Sequence, residues 1–176
     1  SPEETFIIQD GLLLRGGAES PNHLSTYQAA RESYTLGSDN SVAVPLTWTN
    51  GNGVVVTKTI RFRRDSYVVS INYEVSNSSS QPWVSYLYSQ FNRSEPVGKS
   101  GGFGQIPSYT GGAIYTEEEK YEKITFDDID EANLDRQETG GWVSMMEHYF
   151  VAVFIPDTQS NKFYSSKSGD RFILGL

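Results

Sequence analysis

The chain has no cysteine among its 176 residues. That excludes a disulfide scaffold, a cysteine–zinc centre and a thiol nucleophile, and it leaves the compartment open. Histidine is nearly as rare, with only His23 and His148 available for proton transfer near neutral pH. Basic residues number 14 against 22 acidic ones, a net charge of −8. Phosphate recognition needs a concentrated basic surface, so nucleic-acid binding is not expected, and adsorption to anionic lipid is disfavoured. No apolar run approaches the ~20 residues of a membrane span; the longest, Tyr149 to Ile155, is strand-sized. The sequence shows no signal peptide and begins Ser-Pro rather than Met. It is read as a cut fragment, soluble in itself, whose lack of targeting signals says little about its parent.

What is present is aromatic. Only 37 % of residues are apolar, but 11 Tyr, 9 Phe and 3 Trp supply large rings that bury much area each, enough for one core. Gly and Ser clusters are frequent and Ala is scarce, a mix that favours strands and turns over helices. Strand signals recur about every ten residues, as in sandwiches and barrels. Phe6–Ile8 and Leu12–Leu14 are short apolar runs separated by Asp10-Gly11, residues 15–32 read as a loop, and 33–36 as a short strand. Val42, Val44, Leu46 and Trp48 alternate toward Asn50-Gly51-Asn52-Gly53, residues that accept positive φ, and Val54 to Arg63 returns as the second arm of a hairpin. Pro45 cannot donate to a ladder, so the first arm is expected at an edge or bulged. Tyr67–Val75 and Trp83–Phe91 follow, and with the hairpin they predict a four-stranded meander. Further strands are expected at 113–115, 121–126, 142–146, 149–155, 163–165 and 172–174, with one or two helical turns between Asp127 and Leu134.

No motif carries chemistry. Lys99 to Gly104 is Gly-rich but lacks the Gly-Lys-Ser/Thr ending of a phosphate loop. Glu147 and His148 are adjacent, and neighbouring strand residues point to opposite faces, which argues against an acid–base pair. Asp127, Asp128, Asp130, Glu131 and Asp135 begin a calcium-like spacing, but no Gly supplies the turn and Ala132-Asn133 break the pattern, leaving a solvated acidic ridge. The basic residues Arg61 and Arg63 share a strand face with Thr57 and Thr59, read as a solvated sheet face. Trp83, Tyr86, Tyr88 and Trp142 are candidates for stacking on sugars or peptides, against the simpler reading of core aromatics. No cofactor and no metal is expected.

Several segments, taken in order, resemble one family. They are Tyr34-Thr35-Leu36, Val44-Pro45-Leu46-Thr47-Trp48-Thr49, Thr57-Lys58-Thr59-Ile60, Gly111-Gly112-Ala113-Ile114-Tyr115, Glu119-Lys120-Tyr121-Glu122-Lys123, Gly140-Gly141-Trp142-Val143, Tyr149-Phe150 and Ile155-Pro156. This order resembles the large periplasmic domain (P1) of the bacterial membrane protein insertase YidC, from about Thr5 onward. The resemblance implies an all-β, mostly antiparallel β-supersandwich similar to galactose mutarotases. It implies that residues 1–176 are a single periplasmic domain, an incomplete fragment without the first and last strands. It also implies a non-catalytic role at the periplasmic face of the inner membrane, in a membrane-embedded parent that serves nascent membrane proteins with the Sec translocon. SecDF, through SecF, is the implied partner of the region between Gly111 and Ala152. Candidate contact residues there are Glu118, Lys120, Tyr121, Glu122 and Trp142; Trp83, Tyr86 and Tyr88 are candidate cleft aromatics. The alternatives are a carbohydrate- or peptide-binding module and, behind it, a mutarotase-like enzyme.

Overall fold

The computed structural model of the chain describes residues 5–15, 19–94, 109–147, 149–157 and 160–176. The Gly-rich run at 99–104 and His148 lie outside them. The described residues form β1 (Phe6–Leu14), β2 (Gln28–Ala29), β3 (Ser41–Thr49), β4 (Val54–Arg63), β5 (Ser70–Asn77), β6 (Ser85–Ser94), β7 (Gly111–Thr116) and β8 (Lys120–Ile124). The helix α1 (Phe126–Glu131) follows, then β9 (Asp135–Thr139), β10 (Trp142–Glu147), β11 (Phe150–Phe154), β12 (Ser160–Ser168) and β13 (Arg171–Gly175). The architecture is all-β with one short helix. It divides into two compact units, residues 11–87 and residues 1–10 with 88–176, so that β1 and β6 each contribute to both.

In the unit formed by residues 11–87, the sheet order is β2-β3-β4-β5. Its central hairpin closes as the Asn-Gly repeat dictates. The Asn50 side-chain oxygen accepts from the backbone N–H of Asn52 at 2.8 Å and of Val54 at 3.1 Å, and Gly51 and Gly53 take φ of +72° and +92°. The register sets Trp48 against Val56, and Val56 against Val75. Alternation then gathers Trp48, Val54 and Val56 on one face, where they form a core with Leu12, flanked by Tyr27, Tyr73 and Trp83. The opposite face carries Arg61 and Arg63, both exposed. The short β2 pairs only with Leu46 and Thr47; it stops one residue from Pro45, whose ring nitrogen has no proton to donate.

Three expectations are corrected here. The meander has three of its four strands: β6 pairs with β13 instead of β5. The connection after β5 is a loop held by the Asn77 side chain, which bonds Ser79 and the Gln81 carbonyl, and it contains Pro82. It is no tight hairpin, so nothing obliges the next strand to fold back on β5. Residues 33–36 form no strand, and the strand of this region is Gln28–Ala29, inside the expected loop. The runs on either side of Asp10-Gly11 are one continuous strand, β1.

In the other unit, two sheets enclose the core. One has the order β1-β6-β13-β12-β9, the other β11-β10-β7-β8. Between them lie Phe91, Ile114, Ile124, Phe126, Ile129, Val143, Met145, Phe163, Phe172 and Leu174. Each large side chain buried there contributes about 1.5–3 kcal/mol. Phe91 stacks on Phe154 at 4.3 Å, and Phe126 packs on Phe172 at 4.8 Å. Buried Arg93 on β6 reaches Glu147 on β10 with its two terminal guanidinium nitrogens at 3.2 Å, a two-point contact between the sheets that leaves neither charge alone. The strand β9, Asp-Arg-Gln-Glu-Thr, has no apolar residue to announce it; it exists through its ladder with β12.

Two glycines mark close approaches. A Cβ on Gly112 would strike the Leu174 side chain and lie 3.0 Å from the Ile124 carbonyl oxygen. Gly141 has φ of +88°, and a Cβ there would collide with the Tyr115 carbonyl oxygen, whereas Gly140, at +66°, has open space around it. Gly140→Ala is therefore expected to cost about 1 kcal/mol for the left-handed backbone alone. Gly141→Ala adds a backbone clash and is expected to cost at least about 3 kcal/mol. Urea denaturation of the two variants measures the difference; equal losses would refute the close approach.

Candidate functional site

The β7–β8 hairpin and β10 build one surface. Register places Tyr121 opposite Tyr115, and Trp142 opposite Tyr115 from the other side. The three rings therefore share the sheet face that points away from the core. Tyr115 and Trp142 lie nearly parallel, 14° apart with centroids at 5.8 Å, and Tyr121 tilts toward Trp142 at 6.3 Å. Such contacts are worth about 0.5–1.5 kcal/mol each beyond their buried area. The Tyr121 hydroxyl reaches across to the Met146 sulfur at 3.9 Å. That path runs over Ala113 and Ser144, which are small and fully buried although they face outward. Tyr121 itself stays 48 % exposed, so part of its ring is open to solvent.

The hairpin turn, Glu117-Glu118-Glu119, is acidic and exposed. It is closed by Lys120 in the left-handed region, φ +63°, a conformation that costs a non-glycine residue about 1–2 kcal/mol. Its ammonium donates to the Glu117 carbonyl at 2.6 Å and lies 5.9 Å from the Tyr115 ring centroid. Tyr109 sits nearby with its hydroxyl donating to the Gly112 carbonyl at 2.6 Å and the Lys123 ammonium 4.6 Å over its ring. Burial, then Tyr121 and Asp128, pushes its pKa to about 12, so it stays a neutral donor.

The structure thus brings Lys120, Tyr121 and Trp142 together around Tyr115. Glu118 sits in the turn. Glu122 points to the opposite face, where it bonds Arg136 of β9 at 2.6 Å. Trp83 packs against the Leu12–Trp48 core, Tyr88 is only 7 % exposed, and Tyr86 is exposed. Tyr115, Met146 and Tyr109 escaped the sequence reading. The signal for Tyr115 and Met146 is strand register: once Tyr121 and Trp142 are strand residues, their neighbours on the same face of β7 and β10 belong to the same surface; Tyr109, outside the strands, has no such signal.

Glu147, Asp128, Asp130 and Asp135 have structural partners. Glu147 is held by Arg93. In the acidic ridge, Asp130 pairs with Lys167 at 2.6 Å and Asp135 with Lys162 at 3.0 Å. Thr125 caps α1 by accepting from the Asp128 N–H at 3.1 Å, while the Asp128 carboxylate accepts from the Thr125 N–H at 2.7 Å and hydroxyl at 2.6 Å. Among the described residues no group of three or more acidic or histidine side chains is placed to hold a metal ion. None of the described helices is long and apolar enough to cross a membrane.

The family model of the YidC periplasmic domain matches residues 1–176. The chain belongs to that family. Its curated relatives are named membrane protein insertase YidC. The Nitrosococcus oceani protein is 38 % identical over 176 residues, covering 98 % of this chain and 32 % of the relative. The Methylococcus capsulatus protein has the same identity and coverage. The Alkalilimnicola ehrlichii protein is 34 % identical, covering 97 % of this chain and 31 % of the relative. The chain therefore spans about a third of the length of the curated relatives it matches. The YidC periplasmic family and an all-β fold both agree with the expectation from the ordered segments.

The cap on α1 has a pH signature. Hydrogen bonds from the Thr125 side chain and backbone hold the Asp128 carboxyl below its ordinary value of 3.8. A depressed folded-state pKa contributes stability above the unfolded pKa and loses it as pH falls through the folded one. Thr125→Ala is expected to cost about 1 kcal/mol at neutral pH, and the gap to the parent chain should narrow once pH drops below that ordinary value. Thermal melts at neutral pH and under acid conditions measure it; a gap that does not change with pH would contradict the reciprocal cap.

Proposed function

We propose that residues 1–176 are part of a non-catalytic periplasmic domain of a YidC-like insertase, at the outer face of the bacterial inner membrane, and that the Tyr115–Tyr121–Trp142 platform docks a translocon partner. The carrying observation is the platform itself: a half-open set of stacked rings with an acidic turn and a strained lysine at its rim. Aromatic rings at the centre of a patch with a charged margin are what concentrates binding energy at protein interfaces. Lys120 is held at positive φ, a strained conformation of the kind that clusters at ligand clamps and switch regions. Family membership supports SecDF, through SecF, as the partner, with the Sec translocon and nascent membrane proteins engaged through the parent. A non-catalytic role is supported by the employment of Glu147, whose carboxylate is committed to Arg93.

A second reading, a carbohydrate- or peptide-binding module, is favoured by the exposed Tyr121 ring, which has the shape to stack on a sugar. Calorimetric titration with periplasmic oligosaccharides distinguishes it: saturable heats lost in Tyr121→Ala would support it, and none at millimolar ligand would remove it. For the docking reading, full-length protein carrying Tyr121→Ala and Lys120→Ala together should recover at least about tenfold less SecDF on co-purification. A second variant, Glu122→Gln, alters the opposite face and should recover the parent amount. Undiminished recovery by the first variant would overturn the assignment of this surface.

A further inference from the structure

The turn that closes the β3–β4 hairpin carries a chemistry that the docking platform does not use. Asparagine stands directly before glycine at Asn50-Gly51 and at Asn52-Gly53, and both pairs lie in this turn. An asparagine side-chain carbonyl carbon can close a cyclic imide with the next backbone nitrogen. A glycine in the next position puts no side chain in the way of that closure and lets the backbone adapt to it.

The structure treats the two asparagines differently. The Asn50 side-chain oxygen accepts from the backbone N–H of Asn52 at 2.8 Å and of Val54 at 3.1 Å. The nitrogen that would attack Asn50, that of Gly51, donates to the Thr49 hydroxyl oxygen at 3.1 Å. Both reacting groups at Asn50 are therefore tied down. Asn52 is exposed, and among the described residues neither its side-chain amide nor the Gly53 N–H takes part in a hydrogen bond. The two pairs are neighbours in one turn, so the difference between them rests on bonds inside the turn.

We propose that Asn52 is a site of spontaneous deamidation from which Asn50 is protected, and that the isoaspartyl product releases this turn from the loop after β5. The Gly53 backbone nitrogen gives up its proton to solvent base and attacks the Asn52 side-chain carbonyl carbon. The new N–C bond closes the imide, the bond to the side-chain nitrogen breaks, and ammonia leaves with a proton returned by solvent. Water then adds to one of the two imide carbonyls and opens the ring. Opening on one side leaves aspartate. Opening on the other routes the backbone through the former side chain, which lengthens it by one carbon. That carbon falls against a close contact. The Gly53 carbonyl accepts from the Ser78 N–H at 2.8 Å and from the Ser78 hydroxyl at 3.0 Å, and even a Cβ on Gly53 would lie 3.0 Å from the Ser79 nitrogen. A longer backbone immediately before Gly53 displaces its carbonyl from Ser78.

The full-length protein, held in mildly alkaline buffer and sampled by peptide mapping with fragmentation that separates aspartyl from isoaspartyl links, tests this. Asn52 should convert at least about tenfold faster than Asn50, because the bonds to Asn50 and Gly51 must first be released. In denaturant the turn's bonds are gone, and the two should convert at comparable rates. Thr49→Val frees the Gly51 N–H and should raise conversion at Asn50 at least about threefold. Protection of the Ser78 amide from hydrogen exchange, measured in that variant before incubation and equal to the parent's, separates a freed bond from lost folding. The same amide reads the consequence: it should exchange faster in the isoaspartyl form, while Asn52→Asp, with the same charge and no added carbon, should match the parent. No conversion at Asn52, equal rates in the folded protein, unchanged Asn50 in Thr49→Val, or undiminished Ser78 protection in the isoaspartyl form would each overturn the proposal.

Discussion

The packing of β7 against the core of its unit is the constraint on which the surrounding structure depends. Gly112 has no side chain because Leu174 and the Ile124 backbone occupy the space where one would go. Its neighbour Ile114 is fully buried on the core side, while Ala113 is fully buried on the other, beneath the reach of Tyr121. A strand covered on both faces must carry small or apolar residues along its length, and Gly-Gly-Ala-Ile-Tyr-Thr does. That close fit holds β10 and β8 at fixed register on either side. The register in turn lines up Trp142, Tyr115 and Tyr121.

The same sheet therefore has three different margins. Its inner face supplies Val143 and Met145 to the core. Its outer face supplies stacked rings with one edge open to solvent. Its rim differs at the two ends, charged along β8 and apolar along β11. These properties come from one alternation of side chains read across four strands. The buried Arg93–Glu147 contact ties this sheet to the one that carries Phe91 and Leu174. The Glu147 carboxylate, set aside for acid–base work by its strand position next to His148, is the counter-charge of a buried guanidinium.

Much of the fold was legible where the local signal was strong. The Asn-Gly repeat announced the β3–β4 hairpin, and alternation from Val42 to Trp48 named its buried face. A short helix was expected from Asp127 onward and is found from Phe126, started by the Thr125–Asp128 cap. The parts that were not legible lack a local cause. β9 has no apolar residue, so its pairing with β12 is its only reason to be extended. β6 alternates like its predecessors, yet joins a different sheet because a side-chain-held loop with Pro82 releases it from β5. Of the candidate site, Tyr121, Lys120 and Trp142 were named from the sequence, while Tyr115 and Met146 emerged only from register and Tyr109 only from its contacts with Gly112 and Lys123.

The sequence by itself determined the class of the molecule: all-β, acidic, without thiol chemistry, and a member of the YidC periplasmic family through the order of its segments. Periodicity, turn residues and segment order are properties of neighbouring residues, so they survive without a third dimension. Tertiary structure alone decided which strands became edges and which rings met. Those outcomes depend on contacts between residues far apart in the chain, such as Trp142 with Tyr115 or Arg93 with Glu147. Five apolar residues from Phe150 to Phe154 are an ordinary strand signal in the sequence. Only the register with β10 shows which of them face the core, Phe150, Ala152 and Phe154 beside Glu147, Met145 and Val143.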